Sequence, residues 1–242
     1  MNNLRSLYVF ELIRMKKYNI LGASLLTSFI FIAVLHFSGV EDISLIFPLL
    51  IFLDVTVMSM LLIGVTMFFE KQEGTLKTML VSPIGKSEYI ISKVLSNVTI
   101  NLLTLYTLYG YSVLFKELEV NILLLTLYVI LIASFHSLIG IYITYYKKTF
   151  TDLLVAIMTY SLALTIPVVL VYVGILNIGL IEKMMYLIPT QASMLLMISV
   201  TPQSFEVWEL IISLSYLIIG GGLLYYIVFR KFDDFAVRES GV

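Results

Sequence analysis

Six stretches of roughly twenty or more residues, at positions 18–37, 46–69, 94–115, 122–146, 153–176 and 210–229, are built almost wholly of apolar side chains. Nothing constrains the fold more. A hydrocarbon core of about 30 Å is crossed by about 20 helical residues rising ~1.5 Å each, and every one of these stretches is long enough. Within lipid an unpaired backbone amide or carbonyl costs several kcal/mol, so a spanning segment closes its hydrogen bonds internally. Apolar runs of this length predict helices. The expected fold is an all-α integral membrane protein with six transmembrane helices. Of its 242 residues, 60% are hydrophobic and 13% charged; a soluble domain carries about 25% charged residues. Six spans leave no room for a separate soluble domain, so residues 1–242 read as a single transmembrane domain.

Lysine and arginine placement orients it. The amino-terminal segment has four, the 70–93 segment four, the Lys147–Lys148 loop two and the carboxyl tail three, leaving only Lys116 and Lys183 on the other side. The positive-inside rule then places both termini in the cytoplasm. Acidic Glu41, Asp42, Glu117, Glu119, Glu182, Glu206 and Glu209 fall in or beside the outer loops. The net charge of −1 comes with no basic patch beyond the loops that flank spans, so no nucleic-acid partner is expected. Cysteine is absent, which excludes disulfides, thiolate metal sites and cysteine nucleophiles.

Two further segments are distinctive. In residues 1–17, Leu4, Leu7, Tyr8, Leu12 and Met15 recur at helical spacing beside Arg5, Arg14, Lys16 and Lys17, as in a helix lying on the inner membrane interface. The outer segment 177–209 holds Pro189 and Pro202 around a short apolar piece, 192–198. Ten or so apolar residues cannot span, and they fit a re-entrant or interfacial helix.

Catalytic signatures are missing. No G-x-x-x-x-G-K-[ST], H-E-x-x-H or G-x-S-x-G occurs, so the chain does not bind ATP through a P-loop and reads as a non-enzyme without a metal or cofactor of its own. Polar groups inside spans are functional candidates by default. Asp54 lies in the outer half of the second span, His136 is in the fourth, and Asn97, Asn101 and Thr104 form a stripe on the third. They could line a substrate path, or they could make the interhelical hydrogen bonds of a packed bundle. Ala133, Ser137, Gly140 and Thr144 form a small-residue seam suited to close helix packing, and Gly220-Gly221-Gly222 permits close approach or a kink.

The longest polar interruption is residues 70–95. Glu73 precedes Lys77 by four residues, a favourable helical pairing, and Leu76, Met79 and Leu80 give that short helix an apolar face. Pro83 stops it, Ser87 suits the N-cap of the next helix and Glu88 its first turn. A plain solvated loop needs neither that face nor those caps. The segment reads as a docking surface.

Its pattern, E-x-x-E-G-T-L-x-x-x-L-x-S-P-I-x-x-x-E-x-x-x-x-K, is met by Glu70, Glu73, Gly74, Thr75, Leu76, Leu80, Ser82, Pro83, Ile84, Glu88 and Lys93, and it resembles the ABC-2 type transporter permeases. The order of an interfacial helix, six spans and a proline-marked outer segment extends the resemblance over nearly the whole chain. It implies a half-size permease of a bacterial plasma membrane, paired with a second copy or a paralogue. Two cytoplasmic ATP-binding-cassette subunits would dock below and hold the ATP and Mg²⁺. Residues 74–83, with Gly74, Thr75, Leu76, Met79, Leu80, Ser82 and Pro83 among them, would be the coupling element, Glu70 and Glu73 would mark its junction with the second span, and 188–197 would match the outer re-entrant region. The export of drugs, peptides or lipids is implied. An ion-coupled carrier working through Asp54, or a non-transporting immunity or sensor protein, are the alternatives.

Overall fold

The computed structural model describes residues 2–80, 82–176, 185–202 and 206–237. Among them there is no strand, and six helices are long and apolar enough to cross a membrane. In chain order the elements are α1 (Asn2–Lys17), α2 (Ile20–Phe37), α3 (Ile46–Gln72), α4 (Thr75–Leu80), α5 (Lys86–Phe115), α6 (Ile122–Tyr145), α7 (Phe150–Tyr172), α8 (Pro189–Ile198) and α9 (Val207–Val237). The protein is an all-α, multi-pass membrane protein.

The second span, α3, is the central helix. Two thirds of its apolar window is buried, 67%, against 17% for α7 and for α9. It packs on α6, and α6 packs in turn on α5 and α9. The small residues of α6 make this possible. Ala133, Ser137, Gly140 and Thr144 are all buried, and a Cβ at Gly140 would lie 2.8 Å from the Met60 Cα and carbonyl oxygen. The expected small-residue seam is therefore the α3–α6 contact. Gly220 and Gly221 serve similarly, facing the Phe135 ring, while nothing approaches Gly222 within 4 Å; α9 runs on as one helix through all three. The opposite faces of α2, α7 and α9 stay apolar and exposed, as shown by Phe29, Val155, Leu162 and Ile219, which is what lipid or a second copy requires.

Two spans contain a π-helical turn, Asp54–Met58 in α3 and Ser161–Thr165 in α7. Such single wide turns displace the side chains that follow and often sit at functional positions. Asp54 opens the first. Helix α8 is ten residues, about 15 Å long, with Pro189 in its first turn and Thr190, Ala192, Ser193, Met194, Leu196 and Met197 buried. It packs against α3 and α9, inside the bundle and not on its surface. The expected outer segment extends beyond it to 177–184 and 203–205, which lie outside the described residues.

Some expected boundaries move. The third span begins at Lys86, eight residues before the apolar run, and the sixth continues to Val237. The polar turns at these ends need only helix propensity and a partner, and they have partners: Lys86 pairs with Asp233 and the Ser87 and Tyr225 hydroxyls share a hydrogen bond at 2.6 Å. Ser87 is thus inside α5, and Gly85 is its N-cap, with its N–H donated to the Glu88 carboxylate at 2.9 Å.

Filling the seam should break the fold. Gly140→Val forces backbone apart at a contact with no slack, at a cost of about 1–3 kcal/mol or more. Gly222→Ala meets nothing and should leave the size-exclusion profile and melting temperature of the detergent-solubilised protein unchanged, while Gly140→Val lowers both yield and melting temperature.

Candidate functional site

The lysine-rich end of the bundle gathers α1, α4, the end of α3, the start of α5 and the end of α9. It is built from the turn at Gly74. That residue has φ of 72°, a left-handed backbone that only glycine adopts without strain, and it ends α3 so that α4 can start at Thr75. Helix α4 is six residues long and buries Leu76 and Met79 among Met67, Tyr89, Ile90, Phe232 and Phe235. Ser82 closes it, donating to the Met79 carbonyl at 2.7 Å. The expected apolar face therefore packs inward on the spans, and the face turned away from the protein carries Lys77 and Thr78, with Pro83 exposed just beyond. The Leu80 side chain lies outside the described part.

The expected Glu73–Lys77 helical pair does not form, because Gly74 separates the two residues into different helices. Glu73 instead reaches α1: its carboxylate accepts from Tyr18 Oη at 2.7 Å and from Lys17 Nζ at 3.0 Å. These two donors hold the Glu73 pKa below the usual carboxylate range, first through the Tyr18 bond and then through Lys17.

Beneath this surface lies a closed set of charges. Glu70 on α3 accepts from Arg14 of α1, from Lys93 of α5 and, at 2.5 Å, from Tyr89 Oη. Lys93 also donates to Glu11, and Arg14 to Glu11 at 2.9 Å. Glu70 and Lys93 side chains are wholly buried, Glu11 nearly so, and Arg14 keeps 23% of its side chain exposed. Two carboxylates face two cations, so the cluster is neutral. Burial drives the Glu11 pKa upward in spite of Lys93 and Arg14 beside it. Burial works against the Arg14 charge, but Glu70 and Glu11 outweigh it and hold the guanidinium more firmly protonated than usual.

Helix α1 was expected to lie on the membrane by its Leu4, Leu7, Tyr8, Leu12 and Met15 face. The structure turns that face inward instead, against α5, with Met15 fully buried. Its outer side mixes Val9, Phe10 and Ile13 with Arg5, Lys16 and Lys17. Asn19, the one described non-glycine residue with positive φ, makes the sharp turn into α2. Glu11, Arg14 and Tyr89 were not singled out from sequence as site residues. A signal was there: Glu11 falls in the middle of the apolar stripe of α1, four residues from Leu7 and four from Met15, where a carboxylate needs a partner.

Of the candidate path residues, Asp54, Asn97 and Thr104 sit at helix contacts, while Asn101 and His136 bond within their own helices. Asp54 lies beside Thr104, and the Thr104 and Ser24 hydroxyls are 3.0 Å apart, so α2, α3 and α5 meet there. Asn97 Nδ2 donates to the Ser59 carbonyl at 2.9 Å and to Ser137 Oγ at 2.7 Å. Asn101 Nδ2 donates back to the Asn97 carbonyl at 2.8 Å. His136 Nδ1 lies 3.0 Å from the Ile132 carbonyl, which assigns the ring proton to that nitrogen. All five are buried, and none lines the large groove between α6 and α9.

A buried ion cluster thus lies beneath a short amphipathic helix at the lysine-rich end of six spans. The model of the fluoroquinolones export permease protein family matches residues 2–240. The chain belongs to that family. Two curated relatives, the fluoroquinolones export permease proteins of two Mycobacterium tuberculosis strains, are each 28% identical to it over 239 residues, covering 96% of this chain and 95% of the relative. An export permease agrees with six apolar spans and no P-loop. It leaves the ion cluster as the feature that the family's role must explain.

Breaking the cluster on one side should be severe. Lys93→Met leaves Glu11 and Glu70 facing each other with Arg14 alone, a loss of about 3–5 kcal/mol, visible as a lower melting temperature in detergent. The double variant Glu70→Leu with Lys93→Leu keeps the remaining Arg14–Glu11 pair neutral and should recover most of that loss.

Proposed function

We propose that this chain is the membrane-spanning subunit of an ATP-driven exporter, worked by separate cytoplasmic ATP-binding-cassette subunits that dock on α4. One observation carries the reading. Helix α4 is fixed to the spans by Leu76 and Met79 and turns Lys77 and Thr78, with Pro83 beyond them, away from the protein. A helix anchored on one face and open on the other, at the foot of the central span, is suited to receive a push. The positive-inside distribution puts it in the cytoplasm with both termini.

In this reading the coupling residues divide by what they touch. Glu73, Thr75, Lys77, Thr78 and Pro83 meet the ATPase. Glu70, Gly74, Leu76, Met79 and Ser82 are positioning residues: they hold the docking face and pass its movement to α3 and α5. ATP and Mg²⁺ bind in the partner. Two permease copies, or this chain and a paralogue, enclose the path, and ATP-driven closure of the partner dimer moves α4 and reopens the spans outward. The relatives' names make a fluoroquinolone the first substrate to test, and an amphiphilic, partly aromatic drug fits spans whose polar groups are few. Asp54, Asn97, Asn101, Thr104 and His136 would bear on the path by setting how α2, α3, α5 and α6 pack.

Affinity purification of the tagged chain from its native membrane should bring down an ATP-binding-cassette subunit. Lys77→Glu should weaken that association on the order of tenfold or more, as charge reversal at an interface does, with the melting temperature of the permease unchanged. Expressed together in a drug-sensitive host, the pair should raise fluoroquinolone resistance, and Asp54→Asn should retain it. Recovery of no ATPase, together with loss of resistance in Asp54→Asn, would favour an ion-coupled carrier.

A further inference from the structure

An open groove of about 890 Å³ runs along α9 from Ile211 to Ile227, walled on the other side by α6, with Tyr160 of α7 and Pro189 of α8 also lining it. Its surface is aliphatic and aromatic, and Ile219 and Leu223 on its lip are more than half exposed. The part walled by both long helices, positions 135–143 against 219–227, is about 12 Å long. That is close to the ~15 Å depth of one leaflet's hydrocarbon.

At the lysine-rich end of this trough the chemistry changes within one helical turn. Lys231 donates to Tyr146 Oη, and its Nζ lies 4.8 Å from the Tyr146 ring centroid and 5.9 Å from that of Tyr142, a groove residue. Arg230 Nε donates to Tyr226 Oη at 3.1 Å, with the guanidinium 5.2 Å from that ring centroid. Lys147 and Lys148 follow Tyr146 directly in the chain. A small notch of about 60 Å³ opens among Tyr145, Tyr146, Lys231, Asp234 and Phe235. Among the described residues the acidic groups here are Asp234, on the notch, Asp233, which pairs with Lys86, and Asp152, in the first turn of α7 after the Lys147–Lys148 turn. Among the described residues four cations, Arg230, Lys231, Lys147 and Lys148, against the two remaining carboxylates leave a positive rim.

We propose that the groove and its rim form a binding site for an anionic phospholipid. One acyl chain lies between α6 and α9, and the phosphate sits at Arg230, Lys231 and the Lys147–Lys148 turn. The shape alone would admit any apolar occupant. The charge selects among them: basic residues at the membrane edge between spanning helices attract acidic headgroups, and tyrosines at that depth suit the headgroup level. A neutral drug or an apolar helix face has no use for four cations at one end. The site is separate from the α4 docking face and does not depend on the export reading.

Native mass spectrometry of the purified permease, delipidated and titrated with phosphatidylglycerol or phosphatidylcholine of equal chain length, tests it without any ATPase. Phosphatidylglycerol should bind at least about tenfold more tightly than phosphatidylcholine, two or more cations being engaged. Arg230→Gln with Lys231→Gln should abolish that preference while phosphatidylcholine binding, unchanged, shows that the groove is intact. Leu223→Trp, which fills the trough, should weaken both lipids. Equal binding of the two lipids by the wild type, or a preference that survives the charge substitutions, would overturn the proposal. So would cross-linking in membranes of Leu223→Cys to its own counterpart in a second copy, since the groove would then be covered by protein. The chain has no cysteine of its own, so such a product would be unambiguous.

Discussion

The buried neutral cluster of Glu11, Arg14, Glu70 and Lys93 is the interaction on which the lysine-rich end depends. Each charge taken from water costs several kcal/mol even after relaxation, so the group persists only because every member is answered by another. That requirement binds three helices at once. Helix α1 cannot slide or lift without exposing Glu11 and Arg14, α3 cannot rotate without stranding Glu70, and α5 cannot tilt without withdrawing Lys93. Apolar contact alone would tolerate such motions, because one greasy surface slides over another at little cost. Ionic contact in a dry place does not.

This gives the short α4 something stiff to stand on. Leu76 and Met79 seat it against α3, α5 and α9, the Gly74 turn sets its angle, and Glu73 ties that turn back to Lys17 at the end of α1 and to Tyr18 just after it. Under the proposed function, movement received at Lys77 or Thr78 would be delivered to several spans together and not dissipated in a flexible loop. Further along the same helices the contacts change character. Asn97, Ser137 and Thr104 make neutral hydrogen bonds worth ~0.6 kcal/mol each, and π turns interrupt α3 and α7. The polar contacts within the spans are weaker and more exchangeable than the ionic base, while the α3–α6 seam at Gly140 has no slack.

The six spans were legible because apolar length is a direct consequence of bilayer thickness, and the α6 seam because small residues at helical spacing have few other uses in lipid. The ends of α5 and α9 were not legible. Lys86, Ser87 and Asp233 are helical through pairing with residues more than a hundred positions away, which hydropathy does not register. Residues 70–95 read as a docking segment with its apolar face toward the cytoplasm or the inner interface, yet that face packs inward on the spans. Leu76 and Met79 say that a face is buried, not against what. The Glu73–Lys77 spacing was ideal for a pair, and a single glycine with positive φ put the two residues on different helices. Glu70 and Lys93 stood in the family pattern as unlinked letters. Only the fold shows that they touch, and that Glu11 and Arg14 complete them.

The central claim is that α1 and the docking helix move as one body when the exporter works. Spin labels on Phe10→Cys in α1 and Lys77→Cys in α4, both exposed and unique in a cysteine-free chain, would report their separation by pulsed electron resonance. Because Lys77 lies on the proposed docking face, the measurement would be made on labelled permease that still co-purifies with its ATPase, before and after trapping with a non-hydrolysable ATP analogue. The account predicts an unchanged distance distribution, while a second pair from α4 to the far end of α7 shifts. A change of several ångströms between Phe10→Cys and Lys77→Cys on nucleotide binding would contradict it.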